Sequence, residues 1–160
     1  MIPYLIDIVL AFVVAIGFAV LFQTPKRVLH VAGLLGGLGH CIRFALLSLE
    51  CPLIPATLGG TVFIGLAGIV LSHKVHTPPV VFTMPACITM IPGLFAYRAM
   101  LGCLKITDLE YASAHPEIVT VTMHYFVLTV CLLFTLAIGI CVGALLFRKR
   151  SSKSLFRRIF

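Results

Sequence analysis

Residues 80–104 read VVFTMPACITMIPGLFAYRAMLGCL, and their reading decides the fold. The stretch carries a single charged residue and exceeds the about 20 apolar residues that a helix needs to cross a bilayer. Inside it Pro92 lacks a backbone donor and clashes with the preceding turn, while Gly93 tolerates unusual dihedrals, so the pair predicts a span divided into two half-helices. Pro85 predicts a second kink in the first half. Tyr97 and Arg98 follow the break within two turns. An apolar span that carries both a break and an arginine points to a transport site.

The rest of the chain has the same character. Hydrophobic residues make up 61% and charged residues 11%, against about half and about a quarter in soluble domains, and the mean hydropathy is +1.15. Five stretches reach spanning length: Tyr4 to Phe22, Val28 to Leu49, Leu53 to Leu71, Val80 to Leu104 and Ile118 to Phe147. They are long and continuous rather than short and alternating, which predicts helices and not a barrel. The expected architecture is an all-α integral membrane protein of five transmembrane helices, with a membrane domain over 1–147 and a basic cytoplasmic tail over 148–160.

The first span is expected to be retained, since no basic residue precedes it and Gln23-Thr24-Pro25-Lys26-Arg27 is a poor cleavage site for a signal peptide. Orientation follows from basic residues, which accumulate in short cytoplasmic loops. With the N-terminus outside and the C-terminus inside, the inner side takes Lys26, Arg27, Lys74, Arg148, Lys149, Arg150, Lys153, Arg157 and Arg158, and the outer loops take only Lys105. Glu50, Asp108, Glu110 and Glu117 then all fall outside, although acids play no part in the count.

The net charge of +7 therefore reflects topology signals and some affinity for anionic headgroups, not nucleic-acid binding. Cys41, Cys87, Cys103, Cys131 and Cys141 lie in apolar spans without C-x-x-C spacing, and Cys51 near the outer surface has no evident mate. This pattern predicts small packing residues rather than disulfides or a metal site. The sequence contains no phosphate loop and no triad order, so neither a cofactor nor an enzymatic activity is expected. The longest loop, Lys105 to Glu117, is too short to fold as a domain.

Gly33 and Gly37 form a G-x-x-x-G in the second span, and Gly139 and Gly143 form another in the fifth. Such faces let helix backbones approach in lipid, where packing replaces the missing hydrophobic drive. Gly59, Gly60, Gly65 and Gly68 add a further smooth surface on the third span, more than five helices need, and this favours a partner subunit or homo-oligomer.

Gly33, Gly36, His40 and Arg43 recur at intervals of three and four, so they share one stripe facing protein or water. A central arginine facing lipid costs about 2.5–3.5 kcal/mol on insertion scales. Arg43 sits about six residues, or roughly 9 Å, from the outer end of its helix, within reach of snorkelling. Arg98 has a similar depth, and Asp7 enters from the outer side on the first span. Two readings stay open: an ion pair between Asp7 and an arginine that ties helices together, or an anion-attracting vestibule leading to the break. In the second reading an outer half-helix starting near Gly93 turns its free N–H groups and positive dipole end toward the mid-membrane, where Arg98 and Tyr97 serve the same anion.

Gly39-His40-x-x-Arg43 in the second span and Pro92-Gly93-x-x-x-Tyr97-Arg98 in the fourth, within a five-span chain of this length, resemble the threonine/serine exporter family. More narrowly, the chain resembles the small, YjjB-like subunit of its split form, associated with succinate export. The likeness runs from Ile8 to about Arg150; one difference is Thr89, where the family often has a second proline. The resemblance implies secondary export of a small anionic or zwitterionic substrate across the bacterial inner membrane, driven by an ion gradient, together with a larger five-span subunit of the same family. It implies substrate-binding roles for Arg98, Tyr97, Gly93, Pro92, Arg43 and His40. A dicarboxylate gains from two positive elements such as Arg43 and Arg98, whereas threonine or serine also suits a half-helix terminus. Asp7 and His40 are the ion-coupling candidates, since histidine ordinarily titrates near about pH 6.5. The alternative is a non-transporting accessory subunit that stabilises a partner through its glycine faces.

Overall fold

The computed structural model describes the backbone of residues 2–159 and the side chains of residues 5–142 and 145. Seven α-helices follow one another: α1 (Ile2–Leu21), α2 (Leu29–Ser48) after a 3-10 turn over Lys26–Val28, α3 (Leu53–Val75), α4 (Val80–Ile88), α5 (Gly93–Ile106), α6 (Leu109–Ala114) and α7 (Glu117–Ile159). Each of the five apolar stretches is helical, the fourth as two helices. Three helical segments are long and apolar enough to cross a membrane, Lys26–Ser48, Leu53–Val75 and Glu117–Val142. The interrupted pair α4 and α5 makes a fourth if it is one broken span, and Leu5–Leu21 is a shorter apolar helix. The fold is thus all-α and multi-spanning. Gly143 and the side chains of the basic tail lie outside the described residues.

The ends of α1, α2 and α3 follow a local rule that uses no glycine. Gln23, Glu50 and His76 have positive φ values of 54°, 61° and 50°, and each is followed two residues later by proline: Pro25, Pro52 and Pro78. At the end of α1 the N–H of Gln23 donates to Val20 (3.0 Å) and that of Thr24 to Ala19 (2.9 Å). At the end of α2 the N–H of Glu50 donates to Leu47 (3.1 Å) and that of Cys51 to Leu46 (3.2 Å). This paired pattern satisfies the last carbonyls, and the proline then prevents continuation.

The chain forms two compact units, Met1–Met90 with Thr135–Phe160, and Ile91–Phe134. In the first, α2 packs on α1, α3 and α4. Leu35, Ile64, Phe82, Met90 and Leu136 belong to its buried core, while Leu34 and Leu38 on the opposite side of α2 are exposed. Backbones come close where glycine permits: a Cβ on Gly36 would lie 2.7 Å from that of Ala15, one on Gly33 2.8 Å from the Phe12 ring, and one on Gly60 2.9 Å from the carbonyl oxygen of Gly39. A Cβ on Gly139 would run into Thr61 of α3. Gly37 differs, because its Cβ would meet Ile8 only at an ordinary 3.4 Å. Buried threonines avoid unsatisfied hydroxyls by bonding their own helices, as Thr57 does to Leu53 (2.7 Å) and Thr61 to Thr57 (3.0 Å).

In the second unit α5 meets the first half of α7, where Gly102 has Thr122 against it and Phe95 stacks on Tyr125 with ring centroids 6.0 Å apart. The short α6 occupies the segment read from sequence as a plain loop. Asp108 caps it, accepting from the N–H groups of Glu110 (3.1 Å) and Tyr111 (3.2 Å). Among the cysteines, Cys87 is buried and Cys51 intermediate, whereas Cys41, Cys103 and Cys141 are exposed, so those three do not fill gaps within the chain.

Candidate functional site

In the first unit the glycine stripe of α2 positions a polar cluster. Because Gly33 and Gly36 let α1 approach, Asp7 on α1 reaches His40 one turn further along α2, and its Oδ2 lies 3.2 Å from Nδ1. The imidazole side chain is 13% exposed and the carboxylate 41%. The acid that sequence reading offered to an arginine is therefore engaged by histidine. Arg43 stands one turn beyond His40, where the negative charge of Asp7 acts on it, and its Nε is buried without a hydrogen-bond partner. The ring of Phe44 lies 6.1 Å from that of His40.

The other ring nitrogen of His40 reaches the break. Its Nε2 lies 3.1 Å from the carbonyl oxygen of Thr89, just past the end of α4 at Ile88. In an uninterrupted helix that oxygen would accept from the N–H of Gly93, four residues on. Here Pro92 has φ −77° and ψ 56°, an inverse γ-turn that directs the Gly93 N–H to Ile91 at 2.8 Å. Imidazole thus replaces the lost intrahelical donor, as membrane helices require when a break frees backbone groups. Thr89 also turns its hydroxyl back to Ala86 (2.7 Å). Pro85 sits inside α4 without ending it.

In the second unit Pro92 is the N-cap residue of α5, and no side chain caps this helix. The expectation that its first N–H is free needs correction, since Gly93 spends that group on the γ-turn; the next donors belong to Leu94 and Phe95. Tyr97 is 55% exposed. Arg98 donates from one terminal nitrogen to the Tyr125 hydroxyl (3.0 Å) and lies 5.3 Å from that ring's centroid, combining a hydrogen bond with a cation–π contact. The ring of His124 packs edge-on to the same tyrosine at 5.7 Å.

In the first unit the structure brings together Asp7, His40 and Arg43; in the second, Gly93, Tyr97 and Arg98 lie on α5, behind its N-cap Pro92. Sequence reasoning missed Thr89, which contributes a backbone oxygen, and Tyr125, whose polar tip in an apolar span was a usable signal. Among the described residues no group of three or more His, Cys, Asp or Glu side chains could hold a metal ion.

No solved structure matches the chain. An uncharacterised protein of Haemophilus influenzae (strain Rd) is 34% identical over 150 residues, covering 94% of this chain but 50% of its own length, so the chain spans about half of that relative. Residues 7–146 match the family described as "Threonine/Serine exporter, ThrE". That match takes in every residue of both clusters, and the chain belongs to the threonine/serine exporter family.

Proposed function

We propose that the chain is one subunit of a secondary exporter in the bacterial inner membrane, moving a small carboxylate, either a succinate-like dicarboxylate or threonine and serine. The observation that carries this reading is the interrupted fourth span, uncapped at the start of α5 and tied to an ionisable pair at the end of α4, in a member of an exporter family. Family membership supports a transport role in general. A larger partner subunit of the same family belongs to this reading because the chain resembles the small subunit of a two-component exporter. Five spans with the N-terminus outside fit the distribution of basic residues.

In this reading Arg98 and Tyr97, one and a half turns beyond Gly93, bind the substrate carboxylate with the N–H groups that open α5. The Tyr125 contact takes one of five guanidinium donors and leaves the others for a bidentate anion. Within the first unit Arg43, with its unpaired Nε, is the candidate for contact with an anion. The accessory-subunit reading draws on one observation, the occupation of Arg98 by Tyr125, which suffices for a purely structural arginine. Efflux of labelled succinate, threonine and serine from loaded proteoliposomes separates the two. An exporter loses flux in Arg98→Ala while assembly survives; an accessory subunit keeps its partner's flux in that variant and loses assembly when Gly36 or Gly139 is made bulky.

A further inference from the structure

We infer that Asp7, His40 and the Thr89 carbonyl form a proton-dependent latch on the break of the fourth span. Two ring nitrogens of His40 face two oxygens, and the hydrogens between them can be counted. Nδ1 of His40 faces a carboxylate oxygen at 3.2 Å, and Nε2 faces a carbonyl oxygen at 3.1 Å. A carbonyl only accepts, and an ionised carboxylate only accepts, whereas a neutral imidazole has one N–H to give. Both contacts are satisfied together only when the cluster holds one more proton, either as an imidazolium or as a neutral carboxylic acid on Asp7 donating to Nδ1. When that proton leaves, one contact turns into lone pair against lone pair and must open.

The two contacts lead to different elements, which gives the proton a mechanical consequence. One ties α2 to α1; the other holds the oxygen that the Gly93 N–H would take in a continuous helix. Proton loading pins the break in its interrupted form. Proton loss frees the Thr89 oxygen and loosens residues 89–91. Asp7, the more exposed member of the pair, is where the proton enters and leaves. Among the described residues of this unit, other charged or titratable groups lie on the elements packed around the cluster. Arg43 stands one turn further along α2, and Cys87, buried on α4, precedes Thr89 by two residues. The α3 segment packed on Gly39 presents Ile64, with His73 and Lys74 in its last turn. The sign is fixed: the latch is closed at low pH and opens as pH rises.

The role of the latch in coupling rests on the exporter reading, whereas its existence does not. The experiment uses the full chain in lipid bilayers with nitrogen-15 in its histidines, His40 being assigned by its loss in His40→Gln. Between about pH 5 and pH 9 the expected result is a His40 ring with both nitrogens hydrogen-bearing or hydrogen-bonded at low pH and one released at high pH. Amide exchange across residues 89–91, corrected for intrinsic rates, should then quicken about tenfold in the wild type and stay flat in His40→Gln. Asp7→Asn, whose amide N–H can donate to Nδ1 while Nε2–H serves the Thr89 carbonyl, should keep the latch closed and exchange slow across the whole range. A single unchanging tautomer, or the same exchange response in His40→Gln, would overturn the latch. Substrate-driven proton movement in proteoliposomes holding this chain and its larger partner reads the coupling: in His40→Gln the number of protons moved per substrate carried should fall. Unaltered proton movement would overturn the coupling role. If the wild type together with its larger partner moves no substrate, the exporter reading fails while the nitrogen and exchange measurements still decide the latch.

Discussion

The Nε2 of His40 and the carbonyl oxygen of Thr89 lie 3.1 Å apart, and that oxygen is the one an unbroken helix would assign to Gly93. A side chain from α2 therefore completes the backbone bonding of the fourth span. Replacing His40 by leucine leaves the carbonyl and Asp7 without a partner, and a buried acceptor left unmet costs about 1–3 kcal/mol. His40→Leu should lower unfolding stability in mixed micelles by about that amount, with His40→Gln recovering part of it. Equal stability of the wild type and His40→Leu would show that the contact does not hold the break.

The glycines of α2 should differ sharply over a single residue. A Cβ on Gly36 lies 2.7 Å from that of Ala15, an atom with no rotamer to move, whereas one on Gly37 meets Ile8 at 3.4 Å. Gly36→Ala is expected to destabilise by about 1–3 kcal/mol through overpacking, and Gly37→Ala to be neutral or slightly stabilising because alanine is the better helix former. Thermal unfolding of the two variants side by side checks this.

Arg98 and Tyr125 make two kinds of contact, and Tyr125→Phe separates them. It removes the hydroxyl acceptor and keeps the ring under the guanidinium. With Arg98 as the substrate ligand, Tyr125→Phe should change efflux by less than about tenfold, while Arg98→Ala abolishes it. Arg98→Lys should also lose most flux, since lysine lacks the bidentate fork.

Helix ends offer a stabilising change. Glu50 holds φ 61°, a left-handed conformation that costs a non-glycine residue about 1–2 kcal/mol, partly offset in a glycine variant by the greater freedom of its unfolded chain. Glu50→Gly should raise the unfolding midpoint, and a lowered midpoint would mean that the carboxylate has a stabilising contact of its own.

Much of this fold was legible in the sequence, because apolar length and proline position act locally. Helices occur at all five apolar stretches, and α4 and α5 are separated by residues 89–92, where Pro92 removes a donor. Helix ends at Gln23, Glu50 and His76 carry no glycine signal; only the proline two residues later marks them. The partner of His40 was illegible for a different reason. It is a main-chain oxygen, which every residue possesses, and only the tertiary approach of α2 to the end of α4 singles out Thr89. The difference between Gly36 and Gly37 likewise depends on which face α1 covers, which spacing alone does not fix. Asp108 was a readable cap for α6, with Glu110 in the first turn, but six residues give no periodicity to read.

Export of a small carboxylate by this chain together with a larger subunit is the proposal on which the roles of Arg98 and Tyr97 depend. The most direct test is efflux of labelled succinate, threonine and serine from loaded proteoliposomes containing this chain alone, the partner alone, both, or both with Arg98→Ala. Flux is expected only when both chains are present, and is lost in Arg98→Ala although the complex still assembles. Flux from the partner alone, or undiminished flux with Arg98→Ala, would contradict it.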